Sequence, residues 1–118
     1  MTQEDKLEKT NRINLLFDFY EHLLTEKQQM FLKYYFHDDF SLGEIATEFK
    51  ISRQAVYEHI KRAEQVLDIY EEKLSLLQKY ERRKHQLDQL RQLIDTTDVS
   101  TVDKDKMIII LNDLQVYE

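Results

Sequence analysis

The sequence of 118 residues contains no cysteine, no proline, no tryptophan and one glycine, Gly43. Without cysteine there is neither a disulfide nor a thiolate metal site. Without proline and with one glycine, little is left to make β-turns or to interrupt helices, so the expected fold class is all-α. One glycine also excludes a glycine-rich phosphate loop, and with it intrinsic nucleotide hydrolysis. No apolar run is long enough to cross a bilayer, and residues 1–21 mix charged and apolar side chains throughout, unlike a secretion signal. The expectation is a cytoplasmic protein with no membrane partner. His22, His37, His59 and His85 are scattered without metal-ligand or triad spacing. No catalytic residue, metal site or cofactor is therefore expected, and an enzyme is the least supported class.

What is present is charge and helical periodicity. The formal net charge is −6. Between Leu24 and Tyr70, six lysines and arginines face eight acids. Nucleic-acid affinity comes largely from neutralising phosphates, so a lone copy of such a head should bind weakly unless its cations share one face.

The richest segment is 24–67, which reads as three short helices with separate start signals. Thr25-Glu-Lys-Gln28 and Ser41-Leu-Gly-Glu44 are capping boxes: the hydroxyl accepts a first-turn N–H and the third residue on returns the bond. After Ser41, Leu42, Ile45, Ala46 and Phe49 recur at helical spacing, and the small Ala46 permits a close helix crossing. Lys50-Ile51 forms a turn, Ser52 is the next N-cap, and Val56, Ile60, Ala63 and Leu67 form the buried stripe of the following helix. Arg53, Gln54, Tyr57, Lys61 and Arg62 fall on its other faces. Arginine and glutamine near a helix start can reach base edges, whereas lysine, arginine and tyrosine further on suit the backbone. This is the plan of a helix-turn-helix. Ser41 and Ser52 set its helix geometry and can add phosphate contacts.

The quoted segment resembles region four of bacterial sigma factors, through Leu24-Thr25, Ser41-Leu42-Gly43-Glu44-Ile45-Ala46, Ile51-Ser52-Arg53-Gln54-Ala55-Val56 and Arg62-Ala63. Over nearly its full length the chain resembles YlxM-type proteins, a helix-turn-helix family of Gram-positive bacteria encoded beside the signal recognition particle GTPase. The resemblance implies a regulatory protein that binds DNA or RNA, or an accessory that touches signal recognition particle components. Two departures from the sigma pattern carry expectations. Lys50 stands where glycine is favoured, which implies an altered turn. Ala55, Tyr57 and Glu58 replace positions that are often basic or amide, which implies weaker reading of sequence.

The remaining chain frames this head. Residues 3–23 read as one helix with Leu7, Ile13, Leu16, Phe17, Tyr20 and Leu23 on its apolar stripe and Thr2 as cap. Met30, Phe31, Tyr34 and Tyr35 are expected to pack onto it. Leu67, Tyr70, Leu74 and Leu77 form a seam of about two heptads. It resumes at Leu87, Leu90, Leu93 and Ile94 after a charged break holding Arg82-Arg83-Lys84-His85, a second basic patch suited to RNA or an acidic partner. Residues 95–100 read as a linker, and Met107-Ile-Ile-Ile-Leu111 as part of a short helix. The expected organisation is a helix-turn-helix domain at 1–70 and a long helical extension at 71–118. The seam implies a homodimer.

Overall fold

The computed structural model describes residues 2–116, which contain six α-helices and no strand. They are α1 Gln3–Tyr20, α2 Glu26–Leu32, α3 Leu42–Phe49, α4 Arg53–Leu74, α5 Leu76–Thr96 and α6 Thr101–Val116. Two compact units are formed, one through Leu77 and one from Gln78 onwards.

Helix starts follow the local signals. Full capping boxes open α1 (Thr2 with Asp5), α2 (Thr25 with Gln28) and α3 (Ser41 with Glu44). Each satisfies first-turn N–H groups that have no partner within the helix. The first helix tightens into a 3₁₀ turn over Glu21–Leu23 instead of continuing as α. Gln29 on α2 closes this corner, its side-chain amide donating to the carbonyls of Glu21 (2.8 Å) and Leu24 (3.1 Å).

In the first unit Ile13, Leu16, Phe17 and Tyr20 bury the inner face of α1, while Leu7 and Leu23 lie exposed at its ends. Phe31 turns into a cluster with Ile45 and Ala46 of α3 and Val56 and Ile60 of α4, and Met30 is exposed. Tyr34 and Tyr35, just beyond α2, pack half-buried against the same cluster, so these aromatics serve the helix-turn-helix core, and α2 packs on α4. Contacts between α1 and α4 climb both helices together: Lys9 with Glu64, Arg12 with Asp68, and the Tyr20 ring against Tyr70.

The charged break in the leucine seam is carried on an unbroken helix. Arginine and lysine are good helix formers, and 82–85 lie inside continuous α5. The helix is interrupted at Ser75, inside the seam, where the C-cap of α4 is left-handed (φ 54°). The Tyr20 hydroxyl donates to Glu71 Oε1 at 2.6 Å and accepts from the Leu76 N–H at 3.1 Å, while the same carboxylate oxygen accepts from the Leu77 N–H at 3.0 Å. Two first-turn N–H groups of α5 are thereby capped, one by Tyr20 from far back in the sequence and one by Glu71 in the last turn of α4. Burial, then the Glu71 carboxylate, raises the Tyr20 phenol above its ordinary pKa and keeps it protonated as a donor.

The second unit is an α5–α6 hairpin joined by 97–100. Leu87 and Ile94 of α5 close on Leu111, with Ile108 beside them. Arg91 Nη2 donates to Asn112 Oδ1 (3.0 Å) and Gln115 Oε1 (3.1 Å), and Ser100 Oγ accepts the Asp103 N–H at the start of α6. Four members of the supposed dimer seam are therefore already covered within the chain: Leu67 and Leu77 in the first unit, Leu87 and Ile94 in the second. The seam members Leu74, Leu90 and Leu93 stay exposed, and so do Val102, Ile109, Ile110 and Leu114 of the second unit.

Candidate nucleic-acid interface

The site is built by two helices and the turn between them. Lys50 ends α3 in the left-handed region (φ 56°, ψ 45°), its N–H donating to the Ala46 carbonyl, and Ile51 N–H donates to the same carbonyl at 3.1 Å. The turn is therefore not altered by the absence of glycine; lysine adopts the conformation glycine would take, at a modest steric cost. Ser52 then caps α4, its Oγ accepting the Ala55 N–H at 3.0 Å. Position 55 is alanine, so no side chain returns the bond.

The residues expected to bind differ in how they are held. Arg53 is exposed, lies across the first turn of α3 at Gly43, and has no hydrogen bond or ion pair among the described residues. Gln54 is exposed and its amide donates to Glu58 Oε1 at 3.4 Å. Arg62 lies 3.8 Å from the other Glu58 oxygen. Tyr57 is exposed, with the Lys61 ammonium 5.6 Å from its ring centroid, and Lys61 also lies 3.9 Å from Glu64. The presented face of α4 thus carries a central carboxylate, Glu58, flanked by the groups that would meet a nucleic acid. Arg82, Arg83 and Lys84 are exposed together on α5, in the other unit.

Glu64 is the feature that sequence reasoning missed. It is 7% exposed and pairs with Lys9 at 3.0 Å, a residue of α1. The carboxylate raises the Lys9 pKa, burial opposing the shift. Position 64 follows Ile60 by four, so the spacing alone places it at the edge of the buried stripe; its cation lies 55 positions away in sequence, where no local pattern reveals it. Lys9, Lys61 and Glu64 line a cleft of about 540 Å³, together with Lys6, Tyr35 and Tyr57. Also on α4, His59 stacks on Phe31, centroids 4.7 Å apart and rings 7° from parallel.

Burial lowers the His59 pKa from its ordinary 6.5, and nearby Lys27 and Arg62 lower it further against the opposing pull of Glu58. The unfolded chain therefore binds more protons than the folded one as pH falls from 6.5, and folding stability must fall in the same direction. The stacked, neutral ring stabilises fully above pH 6.5, and the contribution disappears as pH drops through the lowered folded value. Thermal melts at successive pH values should show the midpoint falling on acidification below 6.5, with a shallower fall in His59→Phe. Equal slopes for the two proteins would contradict this assignment.

Comparison with known proteins agrees with this architecture. Residues 7–107 match the family model described as "Putative helix-turn-helix protein, YlxM / p13 like". A similar chain, the UPF0122 protein BH2485 of Halalkalibacterium halodurans, is 52% identical over 112 residues, 95% of this chain and 99% of the relative. A UPF0122 protein of Exiguobacterium sibiricum is 62% identical over 87 residues, covering 74% of this chain and 82% of its own. The UPF0122 protein lin1916 of Listeria innocua is 60% identical over 83 residues, covering 70% and 76% respectively.

Proposed function

This chain belongs to the YlxM/p13-like helix-turn-helix family, and from that premise we propose that it is a cytoplasmic, non-enzymatic regulatory protein that binds nucleic acid through the N-terminal half of α4. The observation that carries the reading is Arg53: an exposed guanidinium at the start of α4, with no carboxylate partner among the described residues. Among the described cations in the N-terminal half of that helix, it is the one that can approach a phosphate or base edge without first leaving an ion pair. Ser52 and Gln54 beside it supply hydrogen bonds, and Tyr57, Lys61 and Arg62 the contacts to the backbone. Lys61 and Arg62 must exchange their glutamates for phosphates, which predicts weak binding with a steep dependence on salt. The test is a titration of a DNA duplex and an RNA hairpin across salt concentrations, with wild type and with Arg53 and Lys61 neutralised.

Self-association is part of the same proposal. Two heads on one duplex double the phosphate contacts and make the second engagement intramolecular. The uncovered side chains of the hairpin are the surface for a second copy.

A second reading rests on the consecutive exposed cations Arg82, Arg83 and Lys84. It is an accessory role in the signal recognition particle pathway, with this patch touching the RNA or the GTPase and no sequence-specific DNA binding. The same titration separates the two readings: neutralising Arg82 and Lys84 then weakens RNA binding, while neutralising Arg53 and Lys61 leaves it unchanged.

A further inference from the structure

Gly43 is the sole glycine of the chain, and its backbone gives no reason for it. The left-handed positions, where a glycine is usually needed, are occupied by Asp39, Lys50 and Ser75, whereas Gly43 has no positive φ and sits in the first turn of α3. Glycine within a helix is less favourable than alanine. A Cβ placed on Gly43 would lie 3.1 Å from Nε and Nη2 of Arg53 and 3.2 Å from its Cζ, closer than a methyl group and a guanidinium normally approach. The guanidinium lies where a side chain at position 43 would crowd it.

We propose that Gly43 is a positioning residue for Arg53: the missing side chain is the seat that holds the guanidinium against the start of α3, pre-oriented for nucleic acid. The proposal rests on the reading of Arg53 as a nucleic-acid contact and deepens it. A long arginine side chain that is free in solution loses rotamer freedom on binding; one already seated loses less, which strengthens association without a new contact. The seat also explains how Arg53 remains unpaired in an acidic protein, because it is held by packing and not by a carboxylate.

The experiment is a graded series, Gly43→Ala and Gly43→Met, beside Arg53→Ala and the double variant Gly43→Met/Arg53→Ala, in the full chain. Alanine and methionine are better helix formers than glycine, so the thermal midpoints should equal or exceed that of wild type. Affinity for a mixed-sequence DNA duplex at low salt should fall stepwise, with Met reaching the loss of Arg53→Ala, about tenfold. The double variant should bind no worse than either parent, since both changes remove one contact. In parallel, the side-chain Nε–Hε signal of Arg53, identified by its absence in Arg53→Ala, should move toward the position of free arginine in the same graded order. Wild-type affinity in Gly43→Met, or an Arg53 signal indifferent to residue 43, overturns the proposal. If wild type binds no duplex, the nucleic-acid reading fails by itself, and the Arg53 signal still decides whether Gly43 seats the side chain.

Discussion

Replacing Glu58 with glutamine should tighten binding to a DNA duplex about tenfold at low salt and steepen the log–log salt dependence by about 0.9. Glu58 stands in the middle of the presented face of α4, with Gln54 one turn before it and Arg62 one turn after, at 3.4 and 3.8 Å. A carboxylate there repels phosphate directly and also occupies two groups that would otherwise contact the nucleic acid. Glutamine keeps the shape and the hydrogen bond to Gln54 while releasing Arg62. Its cost to folding is small, because Glu58 is more than half exposed and solvent-exposed pairs contribute about 0–1 kcal/mol. A fall in affinity would contradict this account of Glu58 and assign the carboxylate to a base, since a glutamate can accept from the amino group of cytosine.

The second large effect concerns assembly. Replacing Ile109 and Ile110 together with lysine should convert a dimer at micromolar concentration into a monomer, as read by sedimentation. These side chains are 67% and 61% exposed, so their replacement leaves the internal contacts of the hairpin intact; surface changes of this kind usually alter stability by about 0.5 kcal/mol or less each. Loss of association with an unchanged melt is the expected pair of results. Substitution at Leu77 or Leu87 would be uninformative, because both are buried within the chain and a charge there would disturb folding itself. Sedimentation of wild type as a monomer throughout this range would contradict the proposed use of the surface.

Those two tests mark where local pattern sufficed and where it did not. The helix starts at Thr25, Ser41 and Ser52 were readable because capping is a matter of three or four consecutive residues. The buried stripe of α4 was readable because periodicity survives any arrangement of neighbours. The interruption at Ser75 is not legible in this way. Ser75 carries no glycine or proline signal, and what holds it is Tyr20, more than fifty residues earlier, bonded to Glu71 and to the start of α5. The seam of leucines was seen correctly as apolar, but a one-dimensional pattern does not say which helix covers it. The same limit applied to the interface. The placement of Arg53, Gln54 and Lys61 on α4 follows from type and spacing, whereas the ion pairs of Lys61 and Arg62, the proposed seat at Gly43 and the Lys9–Glu64 pair emerge from folding alone.

The most direct test of the central claim is the salt dependence of binding to a DNA duplex and to a structured RNA, measured for folded wild type and for Arg53→Ala/Lys61→Ala. The account predicts weak but measurable wild-type binding at low salt, a slope that falls by about 0.7–0.9 for each phosphate contact removed, and no binding by the double variant near physiological salt. Failure of the folded wild type to bind either probe at low salt, or an unchanged slope and affinity in the double variant, would contradict it.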